Sequence, residues 1–189
     1  MVALWRIDET KEELYSMLPS SWQLKLDIHK MTAHNIAARL LAHTICPDFD
    51  SIEKDKYGKP YFESQNHPIS ITHAGKYAAF IYTTDRQCGI DIEQVTNRID
   101  RIKHKFIRED ENPFLQHHLQ GMYLVWCAKE SMYKFHGVKA LDFKQHMRLN
   151  YTSISQYGKL VGSIQKGDYQ KSIPLHYQFF DEYLLVHTL

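Results

Sequence analysis

Two short segments of this sequence have residue types and spacings suited to phosphoryl or metal chemistry. The first is Gly89-Ile90-Asp91-Ile92-Glu93. On a strand, alternate residues face the same side, so Ile90 and Ile92 enter a core while Asp91 and Glu93 point together to the other face. Two carboxylates that close repel unless a cation or a basic group lies between them. A hard divalent ion such as Mg²⁺ suits such oxygens; a half-exposed strand with two solvated acids has the same pattern. The second segment is Trp126-Cys127-Ala128-Lys129-Glu130-Ser131-Met132-Tyr133-Lys134. On a helix, Trp126, Glu130 and Lys134 stand at i, i+4 and i+8 and share one face, with Lys129 about 100° around from Glu130. An acid and an amine one turn apart make either an ordinary surface pair worth ~0.3–0.5 kcal/mol or a working carboxylate with its counter-charge. The tryptophan on the same face argues against full solvation.

Two weaker signals come earlier in the chain. In Gly58-Lys59-Pro60 the glycine lets a backbone approach closely and the lysine offers a point charge to a phosphate; a plain hairpin turn reads the same way. Thr72-His73, at a strand end, offers a hydroxyl and an imidazole, although a lone histidine is more often structural.

The elements that must position these residues follow from periodicity and punctuation. Residues 3–7 read as a strand, and Thr10 with Glu13 has capping-box spacing for a short helix. A second short helix is expected over 22–29, and 31–46 is amphipathic at helical spacing through Ile36, Leu40, Leu41 and Ile45. A turn over 54–62 precedes three strands, 69–72, 77–83 and 88–93, expected to form an antiparallel meander. Helices are expected over 99–107, with Ile99, Ile102, Phe106 and Ile107 on one face, and over 120–136, with Gly137 as its stop. Strands at 145–150, 158–164, 173–180 and 183–188 complete the chain, with a turn at Lys166-Gly167-Asp168. The class is α+β, and the similar order of elements suggests two halves of related architecture.

Composition removes several function classes. The net charge is +1, with 43% hydrophobic and 24% charged residues among 189. That excludes a disordered tail, a collagen-like chain and a strongly basic nucleic-acid binder. Three cysteines without metal-type spacing point to a reducing compartment. The opening MVALWRIDET turns acidic too early for a secretory leader, and no apolar run reaches the ~20 residues of a membrane helix. A cytoplasmic protein is expected.

Taken in order, KYGKPYF, ISITHAG, GIDIE and WCAKESMYK resemble a 4′-phosphopantetheinyl transferase of the surfactin-synthetase-activating type, over Lys56 to Lys134. The resemblance implies transfer of the phosphopantetheine arm of coenzyme A to a serine of a carrier protein, with release of adenosine 3′,5′-bisphosphate. It also implies two pseudo-symmetric α+β lobes with antiparallel sheets, at 1–88 and 89–189, with coenzyme A in a cleft between them. By matching positions, Asp91, Glu93 and Glu130 hold Mg²⁺ against the pyrophosphate. Glu130, or a metal-bound water, is the base for the carrier serine. Lys134 contacts the pyrophosphate, and Lys129 assists or orders the site. Lys59, Thr72 and His73 bind coenzyme A phosphates, with Gly58 and Pro60 shaping that loop.

One departure stands out: Asn35 occupies the place of the arginine that family members often carry early in the first-half helix. Arg39, one turn later on the same side, is the candidate substitute. The stretch Arg98–Arg108 is rich in basic residues (Arg98, Arg101, Lys103, Lys105 and Arg108), whether as a solvated helix or as a surface that steers an acidic carrier. A monomer is expected. Two other readings are a coenzyme A-binding pseudoenzyme that scaffolds carriers, suggested by Asn35, and a nucleic-acid-binding domain built on the basic stretch, disfavoured by the +1 charge.

Overall fold

The structure, a computed structural model, describes residues 1–48, 52–62, 65–84, 87–111, 118–138, 140–150 and 153–189. The chain divides into two compact units, Met1–Gln87 and Cys88–Leu189.

In the first unit, strands β1 (Val2–Arg6), β2 (Ile52–Lys54), β3 (Pro60–Phe62), β4 (Gln65–Ala74) and β5 (Tyr77–Tyr82) form one antiparallel sheet in the order β1-β5-β4-β3-β2. Helix α1 (Lys11–Met17) starts at the capping box that the sequence predicts: the Glu13 N–H donates to Thr10 Oγ1 at 3.3 Å, and the Thr10 N–H donates to Glu13 Oε2 at 2.8 Å. The helix expected over 22–29 is instead α2 (Ser20–Lys25) followed by a 3₁₀ turn at Ile28–Lys30. Asp27 produces the break, because its carboxylate accepts the His29 N–H at 3.0 Å and starts the new turn. Helix α3 (Ala33–Ile45) is capped by Thr32. It buries Ile36, Ala37, Leu40 and Leu41 with Trp22, Phe62 and Phe80.

The second unit has β6 (Ile90–Gln94), α4 (Leu119–His136), β7 (Met147–Asn150), β8 (Tyr157–Lys166), β9 (Tyr169–Phe180) and β10 (Tyr183–Thr188). Its antiparallel sheet runs β6-β10-β9-β8-β7. In both units the first strand pairs with the last, and the strand second in sequence lies at the far edge. The two lobes therefore share one strand order, and the α+β class is established. Gly137, at φ 72°, ends α4 as its position predicts. The core packs α4 residues such as Leu124, Ala128 and Met132 on Leu175, Leu184 and Val186 of the sheet.

Two further expectations are corrected. The 69–72, 77–83 and 88–93 strands are not one meander: β4 pairs with β5, but β6 pairs with β10, far away in sequence. Residues 99–107 are not one α-helix but two 3₁₀ turns, Asn97–Arg101 and Lys103–Lys105. The apolar residues are placed as expected, with Ile99, Phe106 and Ile107 buried. An α-helix here would set Arg101 beside Lys105, a like-charge pair that opposes helix formation. Among the described residues, no helix is long and apolar enough to cross a membrane.

Close approach of α4 to β6 depends on Gly89. A Cβ there would lie 1.9 Å from the Ser131 carbonyl oxygen and 2.7 Å from the Phe135 nitrogen, both α4 backbone. Gly89→Ala is expected to destabilise the protein by about 1–3 kcal/mol or more in urea denaturation. An unchanged midpoint would show that α4 does not bear on β6 at this point.

Candidate active site

With only a hydrogen atom at Gly89, one face of α4 comes down on β6. Lys134 Nζ donates to Asp91 Oδ1 at 2.7 Å and to the Ile90 carbonyl oxygen at 3.0 Å. The indole N–H of Trp126 donates to Glu93 Oε1 at 2.9 Å. Glu130 lies between these two residues on the helix, one turn from each. The i, i+4, i+8 face of the helix and the alternate acids of the strand therefore meet. Ile90 and Ile92 are buried as expected, but Asp91 is only 5% exposed as well. A half-exposed strand with solvated acids does not describe this arrangement.

The charge of Asp91 raises the proton affinity of both Glu93 and Glu130. Burial, then the charges of Asp91 and Glu93, push Glu130 up to about 7, with Lys134 opposing. Glu93 is also raised, by burial and by Asp91, against the Trp126 hydrogen bond and Lys134. Beneath them the buried thiol of Cys127 is raised well above its usual value, by burial and by Asp91 and Glu93, so it stays protonated and inert. Among the described residues, no three acidic, histidine or cysteine side chains are already gathered as a metal cage. The chemistry of the donor set nonetheless suits a hard divalent cation: all three groups are carboxylates, and their mutual repulsion is what a cation relieves.

Lys129 is not gathered with these groups. It is 0% exposed, and its ammonium reaches both oxygens of the buried Glu111, at 2.8 and 2.9 Å, and the Phe106 carbonyl oxygen at 2.7 Å. Glu111 also accepts the Arg108 N–H at 2.9 Å and the Leu149 N–H at 3.2 Å. Burial lowers the Lys129 pKa, while Glu111 opposes that shift. Lys129 thus fastens the end of the basic stretch and β7 to α4. Nothing in the sequence pattern points to Glu111, which lies in a loop outside any periodic element.

In the first unit, Gly58 takes φ +87° and turns the chain between β2 and β3. The Lys59 N–H donates to Asp55 Oδ1 at 2.9 Å, and its ammonium bonds the Gln87 side chain. Lys59 and Pro60 line a depression of about 390 Å³ with Asp55, Tyr61, His67, Pro68 and Gln87. Thr72 is buried and His73 exposed near the end of β4, where the His73 ring stacks on His34 at 4.6 Å. Asn35 bonds its own cap, with Nδ2 donating to Thr32 Oγ1 at 2.6 Å. Arg39 folds back to the Asn35 carbonyl oxygen at 3.1 Å and faces the charge of Glu53.

In the basic stretch, Arg98, Arg101 and Lys105 are exposed and Lys103 pairs with Asp100 at 2.7 Å. Arg108 is engaged inside the unit, bonded to Asp110 at 2.7 Å and to the Lys144 carbonyl oxygen at 2.5 Å.

A model of the 4′-phosphopantetheinyl transferase superfamily matches residues 87–185, just over half of the chain. This match takes in β6, α4, Asp91, Glu93 and Glu130. No curated protein matches the chain.

Two outcomes follow from this geometry. Lys129→Met leaves the Glu111 charge buried, and a loss of about 3–5 kcal/mol is expected in urea denaturation; a loss below ~1 kcal/mol would remove the structural role. Glu130 binds its proton more tightly folded than unfolded, since an unfolded glutamate titrates near ~4.3. Its contribution is favourable below about pH 4.3 and is lost as pH rises through about 7, by at most about 3–4 kcal/mol. In chelator, Glu130→Gln is therefore expected to raise the melting temperature at pH 8 relative to the parent, with the difference shrinking toward pH 5. Equal differences at both pH values would contradict the shift.

Proposed function

Because the chain belongs to the 4′-phosphopantetheinyl transferase superfamily, we propose that it moves the 4′-phosphopantetheine arm of coenzyme A onto a serine of an acyl or peptidyl carrier protein. Adenosine 3′,5′-bisphosphate is the other product, and the chain is read as the two-lobed, surfactin-synthetase-activating type. The observation that carries this reading is the docking of the Trp126–Glu130–Lys134 face on Asp91 and Glu93, within the stretch that the family model covers.

Asp91, Glu93 and Glu130 are the residues that would hold Mg²⁺. When bound, the ion neutralises charge on the pyrophosphate oxygens, which is most of what phosphoryl transfer requires. Lys134, partly exposed beside Asp91, adds a positive charge at the pyrophosphate. Glu130, or a metal-bound water, is the proposed acceptor of the serine hydroxyl proton as the serine oxygen bonds to phosphorus. The phosphorus–oxygen bond to the adenosine bisphosphate breaks in the same displacement. In the first unit, Lys59, Thr72 and His73 are the proposed contacts for coenzyme A phosphates, on a turn shaped by Gly58 and Pro60, with Arg39 in place of the arginine that Asn35 replaces.

The exposed charges of Arg98, Arg101 and Lys105, with Lys103 beside them paired to Asp100, suit an acidic carrier. They act on encounter rate, which salt screens. A second reading, a coenzyme A-binding pseudoenzyme, is favoured by one observation: Asn35 and Arg39 are bonded within their own helix.

The decisive assay incubates the protein with coenzyme A, Mg²⁺ and a panel of apo carriers and weighs the carriers. A phosphopantetheine mass gain is expected on at least one, reduced by roughly 10²-fold or more in Asp91→Asn and Glu130→Gln. Coenzyme A binding with no gain on any carrier would favour the pseudoenzyme, and full activity in either variant would remove the site assignment.

A further inference from the structure

Glu93 sits near the end of β6 and is only partly buried, so its side chain has torsional freedom that a ligating carboxylate must lose. One neutral donor restrains it: the Trp126 indole N–H, 2.9 Å from Oε1. An indole nitrogen only donates, so this bond has a single sense and no tautomer. The indole is itself fixed, packed against Phe106 at 5.1 Å and Phe143 at 5.5 Å. Phe106 is fully buried, and Phe143 rests in turn on Tyr133 at 5.6 Å. Trp126 thus brings a rigid hydrogen-bond donor to one oxygen of a partly exposed acid. Being uncharged, it does so without repelling a cation at the other oxygen, as an ammonium would.

We propose that Trp126 is a positioning residue, which holds Glu93 in the orientation from which its second carboxylate oxygen meets a divalent cation. This rests on the reading of Asp91, Glu93 and Glu130 as cation ligands. Groups that bond a metal ligand from behind commonly change metal affinity by 10- to 100-fold when removed. A tryptophan that only fills space would be replaced by phenylalanine with little effect on the cation.

The test is Mn²⁺ binding to the full chain without substrate, read by electron paramagnetic resonance, for the parent, Trp126→Phe and Glu93→Gln. Both variants are expected to weaken Mn²⁺ by about tenfold. Trp126→Phe is also expected to raise the Mg²⁺ concentration for half-maximal transfer by a similar factor, with kcat at saturating Mg²⁺ within about twofold of the parent. If Glu93→Gln weakens Mn²⁺ and Trp126→Phe does not, the positioning role is overturned while the cation site stands. If neither weakens it, the cation site itself falls, and the positioning role with it. Should Trp126→Phe not fold, the indole ¹⁵N–¹H resonance of Trp126 in the parent protein replaces it. A shift on adding Mg²⁺ supports the role, and no shift at a Mg²⁺ concentration that displaces bound Mn²⁺ overturns it.

Discussion

Three carboxylates cannot share a partly buried corner of a small lobe unless something opposes their repulsion. In this protein that opposition comes first from Lys134, which reaches from the last turns of α4 to Asp91 at 2.7 Å and to the Ile90 carbonyl at 3.0 Å. The bond requires α4 to lie close on β6, which Gly89 permits. It also requires the helix to run unbroken to Gly137. Once the helix is there, Glu130 and Trp126 have no other place to face. The opposition is partial, since Glu130 still stands at about 7 and Glu93 is raised. An incompletely compensated acidic cluster is poorly suited to a purely structural role and well suited to binding a cation.

The same helix uses two lysines, five positions apart, for different purposes. Lys134 is partly exposed and stands at the carboxylates. Lys129 is fully buried and bonds Glu111 and the Phe106 carbonyl oxygen. The second pair joins the end of the basic stretch, β7 and α4 around one buried charge, and Phe106 also packs against Trp126. Rigidity in the framework and compensated repulsion in the site are thus supplied by one element.

Much of this was legible in the sequence, for local reasons. The alternation in Ile90–Glu93, the helical face of Trp126, Glu130 and Lys134, and the stop at Gly137 each depend on a few neighbouring residues. What was illegible depends on distant partners. β6 reads as the third strand of a meander until β10 is seen to pair with it, and nothing within β6 signals that partner. Lys129 reads as a site residue because Glu111, its true partner, lies in an aperiodic loop. The stretch 99–107 has the apolar spacing of an α-helix, but its like charges favour short turns. The indole bond to Glu93 was half visible: the tryptophan was on the right face, but its target was on another element.

The central claim is that Asp91, Glu93 and Glu130 form one charge-coupled cluster around a point where a cation belongs. Its most direct measurement is the pH titration of the Glu130 side-chain ¹³C carboxyl resonance in the metal-free protein, repeated with saturating Mg²⁺. The account predicts a midpoint near 7 without the ion and a clear downward move with it. An ordinary midpoint near ~4.3, or one near 7 that ignores Mg²⁺, would contradict it.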